Sequence, residues 1–211
     1  MEQKIATFID SIYPLPKEVL EEFLEKLQNI EYPKNFHLLR QDKICNHLWF
    51  LTKGSVRYYY SDMEGKEINV WFSIDSDIVT DTPSFIHSKP AETYIQLVED
   101  SEFYAIDRNN INILLNKHHS FALWYIKMFE KYYVNQIEDR ITDLQFLTAK
   151  QRYEKLLIQY PSISQRISLG NIASYLNITQ EHLVESDRIK YNYLIYIKTL
   201  FDLSQSSYNL I

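Results

Sequence analysis

The hydrophobic period of this chain changes after Pro33 and again near Asn109, and the second change constrains the fold more than any bulk property does. Before it, short apolar runs are separated by turn signals. Leu48-Trp49-Phe50-Leu51 is followed by a turn at Gly54 and by Val56 to Tyr60; Glu67 to Phe72 follows Asp62-Met63-Glu64-Gly65; Thr93 to Val98 follows Ser88-Lys89-Pro90. Runs of this length, rich in β-branched and aromatic residues and broken by Gly and Pro, predict an all-β roll or barrel. Tyr58, Tyr59 and Tyr60 alternate across one strand, which predicts core packing on one face and surface on the other. An amphipathic helix precedes the roll, because Pro14 and Pro16 lead into Leu20, Phe23, Leu24 and Leu27 at helical spacing.

From Asn109 the pattern is helical. A short helix to Asn116 is followed by a long one from His118 to about Phe146. Phe121, Tyr125, Met128 and Tyr132 form one apolar stripe on it, and Ile137, Ile141 and Leu144 step by four and three further on. A helix longer than a small roll can cover predicts a dimer seam in preference to a core face. Thr148 is placed to cap the next helix, Ala149 to Tyr160, which stops at Pro161.

Ser168 to Glu181 has the layout of a helix-turn-helix. Ile172, Ala173 and Leu176 point inward, Asn177-Ile178 turns the chain, and Thr179 caps a second helix. In such a motif the second helix enters the DNA major groove and its early side chains meet base edges. The candidate DNA-binding residues are Ser168, Asn171, Thr179, Gln180, Glu181, His182 and Arg188. A generic helical hairpin shares this periodicity, and Gly170 costs about 1 kcal/mol relative to Ala inside a helix.

Charge divides the chain the same way. The 22 Lys+Arg and 28 Asp+Glu give a formal net charge of −6, yet from Thr148 onward seven basic residues stand against five acidic ones. An acidic front and a slightly basic back suggest two modules, of which only the back suits a polyanion. No apolar run approaches the ~18 residues of a membrane span, and no secretory h-region follows Met1. The single cysteine, Cys45, forbids an internal disulfide, suits a reducing compartment and reads as a packed thiol. A cytoplasmic protein without a membrane partner is expected. Asp75, Asp77 and Asp81 read as solvated acids, and adjacent His118 and His119 point too far apart to share a metal. With no Gly-rich phosphate loop and no nucleophile elbow, neither an enzyme nor a cofactor is expected.

Most of the length resembles a known family. Leu51-Thr52-Lys53-Gly54-Ser55-Val56-Arg57-Tyr58, Gly65-Lys66-Glu67, and Val98 to Glu102 running on to Ala105-Ile106-Asp107-Arg108 look like the cyclic-nucleotide-binding roll of the CRP/FNR transcription regulators. Leu147 to Tyr153 and Ile172 to Leu176 look like that family's winged helix-turn-helix. The resemblance implies an α+β chain in three parts: a β-roll sensor over residues 1–116, resembling a double-stranded β-helix, a dimerisation helix over 117–147, and a DNA-binding module over 148–211 with an atypical tail. It implies a homodimer that binds double-stranded DNA under a small-molecule effector. In nucleotide-binding members a glycine-glutamate pair holds the ribose and an arginine after a proline holds the cyclic phosphate. Those positions correspond here to Val79-Thr80-Asp81 and to Pro90-Ala91-Glu92, so the glycine and the arginine are absent. A degenerate effector pocket is expected at these six residues. The alternative is a β-roll ligand-binding or dimeric interaction protein whose DNA-binding module is impaired.

The resemblance breaks after Glu181. The family's recognition helix usually continues Thr-Leu-Ser-Arg-Ile-Arg, whereas this chain reads His182-Leu183-Val184-Glu185-Ser186-Asp187-Arg188-Ile189-Lys190. The codons GAA CAC TTA GTC GAA TCA GAT CGA ATA AAA encode Glu181 to Lys190. One A restored after the first codon encodes Glu-Thr-Leu-Ser-Arg-Ile-Arg-Ser-Asn-Lys. The tail is therefore compatible with a single-base deletion, which leaves carboxylates at Glu185 and Asp187 where cations belong.

Overall fold

The computed structural model describes residues 2–184. Arg188 and the altered tail from Glu185 lie outside the described residues.

Eight strands form two four-stranded antiparallel sheets. One holds β1 (Gln28–Tyr32), β8 (Ser101–Asp107), β3 (His47–Lys53) and β6 (Asp77–Val79), in that order. The other holds β2 (His37–Leu39), β7 (Tyr94–Leu97), β4 (Ser55–Ser61) and β5 (Glu67–Ile74). The four expected strands are present as β3, β4, β5 and β7, and β1, β2, β6 and β8, which the sequence pattern did not mark out, complete the sheets. Gly54 joins β3 to β4 with φ +119°, and a Cβ there would lie 2.1 Å from the Ser101 hydroxyl, so only glycine fits. Leu48, Phe50, Val56, Ile95 and Phe103 are buried in one hydrophobic core, in which Phe50 of β3 meets the helical residues Phe8, Phe23 and Trp124.

Two helices precede the roll, α1 (Glu2–Asp10) and α2 (Lys17–Glu25). The first did not stand out in the sequence, yet Ile5 and Ile9 are fully buried. α3 (Thr82–His87) interrupts the strands between β6 and β7; α4 (Arg108–Lys117) leads to α5 (His119–Phe129). A π-helical segment, Glu130–Val134, joins α5 to α6 (Asn135–Phe146). The upstream stripe expected at a dimer seam instead faces the chain's own roll. Phe121 and Met128 are fully buried, and the Trp124 indole donates 2.9 Å to the Ile9 carbonyl, tying α5 to α1. The downstream residues Ile137, Ile141 and Leu144 are 39%, 51% and 47% exposed, so only this part of the stripe is open to a partner.

Thr148 caps α7 (Ala149–Gln159) in a reciprocal capping box with Gln151. α8 (Ile163–Arg166) and α9 (Leu169–Leu176) follow. Asn177 closes α9 in the left-handed conformation at φ 56°, and residues 180–184 begin the next helix. These helices pack with Phe72 and Ile74, which β5 points to the outside of the roll, and with Ile163, Ile172, Leu176 and Leu183 as a second apolar core.

Candidate effector cavity and helix-turn-helix face

The cavity lies where the roll meets the long helix and has a volume of about 360 Å³. β4 sends Tyr58 and Tyr60 into it, two residues apart, and β5 sends the adjacent Val70 and Trp71, where a bulge opposite Tyr58 and Tyr59 breaks the alternation. The opposite wall is Met128, Phe129, Tyr132 and Tyr133, with Ile137 and Arg140 beyond the π segment. α3 forms one end. Asp81 caps it by accepting from the Ser84 amide at 2.9 Å, and the Thr93 hydroxyl donates 2.5 Å to the second carboxylate oxygen. At the other end of α3, Arg108 donates to the carbonyls of Cys45, Ser84 and Phe85, which are otherwise orphaned acceptors.

The three acids expected to be solvated have different fates. Asp75 is exposed and paired to Arg166, whereas Asp77 and Asp81 are buried. Burial pushes the Asp77 carboxyl up to about 6, against hydrogen bonds from Ser73 and the Ile78 amide. Cys45 is buried as expected, and burial raises its thiol. The three tyrosines do not divide into core and surface. Tyr58 is buried between the sheets, Tyr59 is buried on the outer face by stacking on Tyr94 at 4.9 Å, and Tyr60 is 40% exposed beside the cavity.

Of the six residues expected in the pocket, Thr80 and Asp81 line the cavity. Val79 points into the core, and Glu92 is exposed. Pro90 bridges to Ile44, and Ala91, 3% exposed, exchanges backbone hydrogen bonds with Asp42 and Lys43. The helix wall was missed. Its signal was present in the sequence as a five-residue step between Tyr132 and Ile137, which joins the two apolar stripes.

The candidate DNA-binding residues fall into two groups. Ser168 caps α9 through the Asn171 amide at 3.3 Å, and Asn171 faces the roll, accepting from Arg57 at 3.4 Å and from Asn69 at 3.3 Å. Ser174 joins them by accepting 3.0 Å from the Asn69 amide. Thr179, Gln180, Glu181 and His182 are exposed at the start of the second helix, and Thr179 accepts from the His182 amide at 3.3 Å as its cap. The module is fastened to the roll by Arg166, whose guanidinium bonds Asp75 at 2.6 and 3.1 Å and also reaches Glu99. The hydrogen bonds that Arg166 donates to Asp75 do most to raise its pKa.

With the roll, the cavity and the interrupted helix in place, comparison with known proteins is informative. Residues 29–118 match the cyclic nucleotide-binding domain family. That match spans the whole eight-stranded roll except the first residue of β1, together with α3 and α4. Among solved structures, FixK2 from Bradyrhizobium japonicum is 16% identical, with 79% of this chain and 85% of that one covered at a TM-score of 0.69. A CooA mutant from Carboxydothermus hydrogenoformans is 19% identical, with coverage of 81% and 79% and a TM-score of 0.62. The catabolite activator protein of Thermus thermophilus is 16% identical, with 86% of each chain covered and a TM-score of 0.53. At these identities the likeness is one of fold: a cyclic nucleotide-binding roll, a long helix and following helices arranged as in those three structures. No curated protein matches the sequence. Among the described residues no helix is long and apolar enough to cross a membrane, and no group of three or more His, Cys, Asp or Glu is placed to hold a metal.

Proposed function

We propose that this protein is a cytoplasmic, homodimeric, DNA-binding transcription regulator of the CRP/FNR type whose effector pocket is degenerate. The observation that carries the reading is the tight left-handed turn at Asn177, followed by a capped helix whose first residues, Thr179 to His182, face solvent. A helix N-terminus presented in this way is what major-groove reading needs. Ile141 and Leu144 supply the dimer seam, and two-fold symmetry sets two such helices about one DNA turn apart.

The pocket does not suit a cyclic nucleotide. Ala91 brings no cation, its backbone is engaged with residues 42 and 43, and Asp81 places a carboxylate at the cavity wall. A cyclic phosphate seated at Ala91 forgoes a charge-assisted contact of roughly 1.5–3 kcal/mol. Calorimetry with cAMP and cGMP is expected to show no micromolar binding; a micromolar Kd for either would overturn the degenerate pocket.

DNA binding is tested by retention on double-stranded DNA as salt is raised, since phosphate neutralisation makes affinity fall steeply with salt. The recognition helix runs into the altered tail, so the chain and a version carrying Thr-Leu-Ser-Arg-Ile-Arg after Glu181 are compared. Tighter binding by the restored version supports the deletion. Equal affinity would show that this helix does not read DNA as proposed, and genomic codons incompatible with one lost base would remove the deletion itself.

A further inference from the structure

The walls of the cavity specify what it can hold. Tyr58, Tyr60 and Trp71 face it from the roll, and Phe129, Tyr132 and Ile137 face it from the long helix. A volume of about 360 Å³ admits two or three aromatic rings. Two of the polar groups on the roll side are already engaged: Asp81 accepts from Ser84 and Thr93, and the Thr80 hydroxyl donates 3.1 Å to the His47 carbonyl.

Arg140 differs from these. It is the one cationic side chain lining the cavity among the described residues. Its guanidinium donates 2.5 Å to the Tyr175 carbonyl and stacks 3.8 Å from the centre of the Tyr175 ring. That carbonyl belongs to the last turn of α9, so one side chain touches both the cavity and the first helix of the helix-turn-helix. A guanidinium has five N–H donors in a planar fork, and a ligand oxygen competes for them directly.

We propose that the cavity binds a planar aromatic molecule carrying one oxygen acceptor that faces Arg140, and that this acceptor draws Arg140 away from Tyr175 and loosens α9. The inference rests on the cavity being the effector site of the regulator proposed above. Ring surfaces supply the apolar burial, and the acceptor replaces a backbone carbonyl with a better partner for a cation. Bound and free proteins then differ in a defined contact, which is what a ligand needs in order to shift a conformational equilibrium.

Two fluorescent probes with one ring body test this on the full chain: N-phenyl-1-naphthylamine, which has no oxygen, and 1-anilinonaphthalene-8-sulfonate, which carries an anionic acceptor. Both are expected to bind, and Val70→Phe, which narrows the cavity, is expected to weaken both about tenfold or more. Arg140→Gln is expected to weaken the sulfonate alone, by about tenfold for one charge-assisted contact. Hydrogen exchange across residues 169–176 is expected to rise with the sulfonate bound and to stay unchanged with the amine. Should Val70→Phe not fold, Ile137→Trp blocks the cavity from a more exposed helix position. Ile141→Glu with Leu144→Glu controls for binding to the surface stripe, because neither residue lines the cavity, and both affinities are expected to persist. Affinities insensitive to both cavity variants, loss of binding in the stripe variant, equal response of the two probes to Arg140→Gln, or unchanged exchange in α9 would each overturn the proposal. Retention on DNA, measured alongside, separates the two readings. DNA binding without these probe effects removes only the ligand inference, and probe effects without DNA binding remove only the regulator.

Discussion

The two halves of the long helix carry similar apolar content and meet opposite fates. α5 presses Phe121, Trp124 and Met128 into the roll until none is more than 1% exposed. α6 has no buried residue among its described side chains, and touches the rest of the chain through Arg140 and through the ion pair of Asp143 with Lys155. Apolar spacing therefore reports that a helix has a face to hide, and the length of the neighbouring roll decides whether the chain hides it alone. The exposed face continues back onto α5 as Leu123 and Ile126, so the exposed face and the inward core are two sides of one element.

The sharpest way to break this contrast is to truncate one side chain in each half. Trp124→Ala removes a fully buried indole that also bonds the Ile9 carbonyl, and denaturation is expected to show a loss of about 3–5 kcal/mol. Charge on the other half acts on association: Ile141→Glu with Leu144→Glu is expected to weaken self-association at least about 100-fold while leaving the fold of each chain intact by circular dichroism. A dimer that survives at micromolar concentration in light scattering places the interface elsewhere.

A third test lies beneath the junction of the halves, where Asp77 is buried near Tyr132. Its folded pKa of about 6 lies above that of an unfolded aspartate, so folding binds a proton between them and stability falls as pH rises from about 4 to about 6. Asp77→Asn is expected to abolish that slope and to add roughly 2 kcal/mol at neutral pH, read from urea midpoints across pH. An unchanged slope assigns the dependence to other groups. The smallest effect is expected at Lys155→Ala. This half-exposed pair, 2.8 Å from Asp143, contributes under about 1 kcal/mol, and a larger loss would mean that α6 leans on α7 more than its exposure indicates.

The roll was legible because its strands carry β-branched and aromatic runs between turns, and the helices because Thr148 and Thr179 stand where caps are needed. α1 was not, since its short run earns a helix only once Ile5 and Ile9 have a core to enter. The cavity was half legible. Thr80 and Asp81 could be found by correspondence along the chain, but Arg140 joins them from some 60 positions away through a tertiary contact that no local pattern encodes. Asn171 carries the same lesson: its place in the motif suggested DNA, and its hydrogen bonds run to Arg57 and Asn69 of the roll.

The π segment at Glu130–Val134 sets the angular phase of everything after it. A single π turn accommodates one residue more than an α-helix would. With that residue discounted, the eight positions from Ile126 to Val134 become a heptad, and the five from Tyr132 to Ile137 become an ordinary helical step. The exposed face thus stays in register across the interruption while Ile137 and Arg140 still reach the cavity. Deleting one residue from this segment would restore uniform winding and rotate α6 by about 100° relative to α5. The exposed face and the cavity wall would then lose alignment together, so this π turn gears one face of the helix to the other.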